Sequence, residues 1–164
     1  MLKNVTSLLI IIVIAAACTT TQEAMVSVGV HRSPSGDCAA RLSVSAMGGF
    51  RQLFLLRASS IAVHIADDVT GIAWLSGSEL VYTVSPIYGL PGVFMVDCDS
   101  PTLKPVTLVA AKTFNSAYPK GADFFELKSV TGQRIIYYYG RDVDEIDFKS
   151  LRSARNARSV EKSD

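Results

Sequence analysis

Three residue classes in this chain are able to do chemistry: cysteine, histidine and the carboxylates. The cysteines are Cys18, Cys38 and Cys98 and the histidines are His31 and His64. Neither histidine sits in an H-E-x-x-H helix, and no C-x-x-C pair or Cys/His spacing suited to zinc occurs. There is no G-x-S-x-G elbow, no G-x-G-x-x-G and no P-loop, so a nucleotide cofactor is not expected. Asp142, Asp144, Glu145 and Asp147 crowd into six residues, a density of oxygens that in other settings holds Ca²⁺. The stretch lacks the D-x-D-x-D-G order and the distant bidentate Glu of an EF-hand, and Arg141 and Lys149 flank it. It reads as a solvated hairpin loop. The expectation is a protein with no catalytic residues, no metal and no cofactor.

Cys18 stands apart from the other two cysteines. Met1 and Lys3 form a short positive start, Leu8 to Ala17 is an uncharged apolar run, and Ala15, Ala16 and Ala17 lead into Cys18. A membrane-spanning helix needs about 20 apolar residues, so this run is too short to cross. Charge, a short apolar core and small residues are the parts of a secretory signal. The segment resembles the lipobox of bacterial lipoproteins, with Ala15 where Leu is usual. That resemblance implies removal of residues 1–17, lipidation of Cys18 and a membrane attachment through the lipid. Each buried acyl CH₂ contributes roughly 0.8 kcal/mol, so several chains on one cysteine hold a domain firmly. Thr19 in place of Asp favours, by the same resemblance, delivery to the outer membrane facing the periplasm. The alternative is an ordinary signal peptide cut near Ala17. Residues 18–24 then form the lipidated cysteine and a polar tether.

In an oxidising compartment the remaining pair, Cys38 and Cys98, is a candidate disulfide. Two separate buried thiols are the equal alternative.

The chain has 164 residues with 49% apolar and 19% charged side chains, enough for one packed domain. Sixteen Lys/Arg stand against fifteen Asp/Glu, and loss of Lys3 leaves fifteen of each. Phosphate binding needs a basic face, so nucleic acid is not an expected partner.

Along residues 25–151 the pattern is alternation and β-branched residues. MVSVGVH (25–31), CAARLSVS (38–45), FRQLFLL (50–56) and SIAVHIA (60–66) read as strands. GIAWLS (71–76), ELVYTVS (79–85), VFMVDC (93–98) and PVTLVAA (105–111) form a second set, and ADFFELKSV (122–130), QRIIYYY (133–139) and IDFKSL (146–151) a third. Turn glycines Gly36, Gly77 and Gly132 open corresponding hairpins, and TFNSAYPKG (113–121) is an insertion before the third unit. The expected fold is all-β, with three repeated four-stranded antiparallel meander units at about 25–68, 69–112 and 113–151. Residues 152–164 form a polar basic tail, expected to be disordered.

A period of about 40–45 residues with four strands marks a propeller blade. Ser33-Pro34-Ser35-Gly36, Trp74 and Tyr82 resemble the repeats of periplasmic Tol-type and prolyl-oligopeptidase-type β-propellers. Ser35 replaces the usual Asp, and Leu75-Ser76-Gly77 lacks the Pro. Closed propellers begin at about four blades, so three units predict a partial-propeller-like stack or a sandwich. Open strand edges would then invite a homo-oligomer or a protein partner.

The loop PIYGLPG (86–92) carries Ile87, Tyr88 and Leu90 where polar residues are usual, and Tyr138 faces away from Tyr137 and Tyr139. Ile87, Tyr88, Leu90 and Tyr138 are therefore the candidate partner surface, against plain packing as the alternative. The functional expectation is a non-enzymatic, lipid-anchored envelope protein that binds or scaffolds an envelope protein. The rival is a cell-wall carbohydrate-binding or hydrolase-associated lipoprotein, with Trp74, Tyr88 and Tyr138 stacking on sugars.

Overall fold

The computed structural model describes residues 21–46, 49–57, 61–85, 88–111, 115–116, 124–132 and 134–148. In chain order its strands are β1 (Thr21–Glu23), β2 (Gly29–Arg32), β3 (Cys38–Val44), β4 (Arg51–Arg57), β5 (Val63–Ala66), β6 (Val69–Trp74) and β7 (Glu79–Val84). There follow β8 (Tyr88–Gly89), β9 (Gly92–Asp97), β10 (Val106–Ala110), β11 (Asn115–Ser116), β12 (Phe125–Thr131), β13 (Arg134–Tyr139) and β14 (Asp142–Asp147). The fold is all-β, and the described residues form three four-stranded antiparallel sheets without closing into a barrel or propeller. The first sheet runs β2-β3-β4-β5, the second β10-β9-β7-β6 and the third β1-β12-β13-β14, while β8 and β11 make a two-stranded ribbon.

The sheets stack, and the second is the filling. One of its faces, with Ile72, Trp74, Leu80, Tyr82 and Val96, packs on Ala40, Leu42, Leu53 and Leu55 of the first sheet. Its other face, with Ala73, Val81, Val93 and Met95, packs on Phe125, Leu127, Ile135 and Tyr137 of the third. Strands buried on both faces read as continuous apolar runs, because no face is left for polar alternation. VFMV and LVY are such runs. Among the described residues the first and third sheets are covered on one face and alternate accordingly: β3 is buried at Cys38, Ala40 and Leu42, and β12 at Phe125 and Leu127.

Cys38 and Cys98 are joined, with Sγ atoms 2.10 Å apart, and the bridge ties the first sheet to the end of β9. Closing a loop of 60 residues contributes about 4 kcal/mol in the chain-entropy model. Next to it, Ser35 Oγ donates to the Gly77 carbonyl at 2.8 Å, so the aligned turns of the first two units touch. Close approach fixes one glycine: a Cβ on Gly92 would lie 2.5 Å from the Val109 carbonyl oxygen.

Three expectations need correction. Thr21–Glu23, expected within the polar tether, is a strand, and its residues pair with Thr131, Val130 and Ser129. It is the fourth strand of the third sheet, which residues 113–151 do not supply alone. Three polar residues have no amphipathic period, and their partner lies over 100 residues away. Second, Asp142–Asp147 is strand β14, not a loop; its register runs from Tyr139↔Asp142 to Arg134↔Asp147. The turn is shorter, at Gly140 with φ 62. Charge on an edge strand deters pairing with other chains, and this one is acidic because it is an edge. Third, the first strand of the first sheet begins at Gly29 rather than Met25; Met25 instead bridges Ile72 in the second sheet.

Candidate functional site

Residues 21–32 cross all three sheets. β1 lies on the third, Met25 exchanges two backbone hydrogen bonds with Ile72 of the second, and β2 lies on the first. One edge of each sheet is thereby laced together. The stack has two end faces, one on the first sheet and one on the third, and among the described residues no further sheet lies over them.

On the third sheet the chain leaves β12 after Ala24, whose N–H donates to the Lys128 carbonyl at 2.9 Å. The departure opens a groove of ≈ 490 Å³ whose walls include Glu23, Val26, Glu126, Lys128 and Tyr138. The Lys128 ammonium lies 5.5 Å from the centre of the Tyr138 ring. The register aligns Glu126, Tyr138 and Val143 in one row of this face, with Ile136 beside Glu145 and Arg134 beside Asp147 in the next two. Arg134 and Glu145 approach to 4.0 Å.

Where β12 loses β1 it does not lose its hydrogen bonds. Ser85 Oγ accepts from Phe125 N at 2.7 Å, Thr83 Oγ1 accepts from Leu127 N at 3.1 Å, and Thr70 Oγ1 donates to the Phe125 carbonyl at 2.7 Å. Hydroxyls of the second sheet thus stand in for a missing strand, as buried backbone groups require partners. Sequence reading did not single out these residues. Their signal was the polar positions Thr83 and Ser85 interrupting an apolar run.

The opposite end face belongs to the first sheet. A row crosses it as Val30, Arg41, Phe54 and His64. The Arg41 guanidinium stacks 4.8 Å from the Phe54 centroid, and the His64 ring lies 5.2 Å from it. His64 Nε2 lies 3.1 Å from Asp67 Oδ1, which also accepts from Gln52 at 2.9 Å. Gln52 and, to a smaller extent, His64 hold the Asp67 carboxyl below its usual range, while burial and Asp67 push Asp68 above it. A smaller crevice of ≈ 170 Å³ lies between the first two sheets, lined by Leu55, Arg57, Ile61, Val63 and Leu103. Arg57 donates to the Ser100 carbonyl there.

Of the predicted surface residues, Tyr138 lines the groove of the third sheet, whereas Leu90 is exposed before β9 of the second. The two do not share a site. Ile87 and the Tyr88 side chain lie outside the described residues, as do Cys18 and the tail 152–164. Trp74, a sugar-stacking residue only in the rival carbohydrate-binding reading, is 3% exposed and packs in the first core cluster. Its ring serves the sheet–sheet contact, so it is not available to a glycan. Tyr137 is buried against Phe125, and its hydroxyl donates to Asp144 at 3.3 Å. Among the described residues no group of three or more His, Cys, Asp or Glu is placed to hold a metal ion. No described helix is long and apolar enough to cross a membrane.

No protein-family model matches the chain, and no curated protein matches it. Among solved structures it is similar to the AtxE2 isopeptidase in its apo state, at 14% identity and a TM-score of 0.46. The likeness covers 71% of this chain, which spans about 18% of that protein.

Proposed function

We propose that this chain is a lipid-anchored protein of the bacterial envelope that works by binding, holding a protein partner of the envelope against its outer sheet faces. The observation that carries the reading is that the strand β1, Thr21–Glu23, lies three positions along the chain from Cys18. Three residues span at most about 11 Å. Acyl chains on Cys18 would therefore hold the third sheet at the bilayer surface rather than at the end of a long leash. What the anchored body offers is two sheet faces with apolar centres and charged margins, the make-up of a protein interface. The glycan-binding alternative finds less support, because Trp74 is in the core and the Tyr138 ring already carries Lys128.

Mass spectrometry of the amino-terminal peptide, from full chain purified out of membranes, tests the anchor. The expected result is a peptide beginning at acylated Cys18, and a Cys18→Ser chain lost from the membrane fraction. An unmodified terminus overturns the reading. In-cell crosslinking from the Tyr138 face tests the partner: a protein neighbour is expected, and binding of peptidoglycan fragments alone contradicts it.

A further inference from the structure

We infer that the end faces of the stack bind each other between two copies of this chain, first sheet on third sheet, closing a six-sheet dimer. The inference deepens the binding function proposed above and rests on it, naming the partner as a second copy.

The two faces are complementary in charge. The first-sheet face carries Arg32 and Arg41, with His64 at its edge strand, and the Asp67 carboxylate beside it is engaged with Gln52 and His64. The third-sheet face carries Glu23, Glu126, Glu145 and Asp147 against Lys128 and Arg134. Among the described residues no carboxylate forms an ion pair with Arg41, and no cation forms one with Glu23 or Glu126. The centres match as well: Val30, Phe54 and Leu56 on one, Ile136, Tyr138 and Val143 on the other. The solvated face of an antiparallel sheet usually carries the polar side chains; these faces carry apolar ones as well, and Val30 and Val143 are 57% and 56% exposed.

Pairing like with like would bring cations against cations, or carboxylates against carboxylates. First-on-third contact avoids both. It is heterologous, and such contacts either close into rings or run on as filaments. Because one edge of each sheet is laced by residues 21–32, a two-fold axis along that shared edge lets both contacts form at once. The same axis leaves both Thr21 termini at one height, so two acylated Cys18 residues reach a single bilayer.

The test is the mass of the full chain in detergent, by light scattering or sedimentation across micromolar concentrations. Two variants are compared, Arg32→Glu with Arg41→Glu, and Glu23→Lys with Glu126→Lys. The wild type is expected at twice the chain mass. Each variant alone should associate at least about tenfold more weakly. An equal mixture of the two should recover the dimer, because both contacts in the mixed pair then join opposite charges. Circular dichroism and an intact Cys38–Cys98 bridge confirm folding. High salt should weaken the wild-type dimer, a readout that needs no variant. A monomeric wild type, variants as dimeric as the wild type, or a mixture that stays monomeric overturns the inference. Acylation of Cys18 is read separately, and a monomeric wild type whose Tyr138 face crosslinks to a different protein overturns the dimer while leaving the proposed binding function standing.

Discussion

The second sheet and the two sheets around it are built from similar strands and meet different fates. In the second, β7 is buried from Leu80 to Thr83 without a break. In the third, β14 is exposed at every position except Ile146. The difference is one of neighbours. A strand with sheets on both sides must be apolar on both, and its polar atoms must find partners inside, as Thr83 does with Leu127. A strand with one neighbour spends its second face on solvent or on another molecule. Burial is therefore concentrated in the middle of this protein, and its ends keep exposed faces.

The largest effect should come from the link between first and second sheets. Replacing Cys38 and Cys98 with Ser is expected to cost about 4 kcal/mol, measured by urea unfolding of the oxidised protein against the double variant. A change under about 1 kcal/mol would mean that the core holds the two sheets without the bridge. Next comes a matched pair of truncations. Leu80→Ala, in the middle sheet, should cost about 2–5 kcal/mol by leaving a cavity. Phe54→Ala, on the end face, should cost about 1 kcal/mol or less, since it loses mainly the Arg41 and His64 contacts. Equal losses would erase the distinction between middle and ends.

A smaller effect separates the phenols. Burial, with Asp144 beside it, pushes the Tyr137 hydroxyl up to about 12 from 10.0, and burial alone raises Tyr82 further. In the unfolded chain both ionise near pH 10; in the folded chain they resist. Their contribution is complete below pH 10 and is lost as pH rises through Tyr137's value. Tyr137→Phe should flatten that alkaline loss in a stability-against-pH series, and a loss as steep as the wild type's would contradict the expectation. The smallest expected change is Asp68→Asn. Asp68 has φ 56 and a carboxyl raised by burial and by Asp67. Asn tolerates that backbone and carries no charge, so the variant should be more stable by a few tenths of a kcal/mol at neutral pH.

Legibility in the sequence followed the same division. The apolar runs and turn glycines of the first two units gave away their strands, because burial leaves a period in the residues. The third unit was harder. β1 is three residues long and polar, and only its pairing with β12 makes it a strand. β14 is held by the backbone of β13, which tolerates Asp at alternate places and so hides the strand behind a charge cluster. The disulfide stood open beside two separate thiols, since spacing carries no distance. Trp74 was misplaced because an aromatic residue in a strand looks the same whether a sheet or a sugar covers it. Of the surface residues Tyr138 was legible from the parity of IIYYY, and Leu90 as an apolar loop residue. That they lie on different sheets was not, as it depends on how the units stack.

Hydrogen exchange on the full chain, resolved by strand, tests the central difference most directly. The amides of β7 and β9 are expected to exchange slowest, only through global unfolding, while those of β2, β5 and β14 exchange through local opening. Exchange at β7 as fast as at β14 would contradict the account.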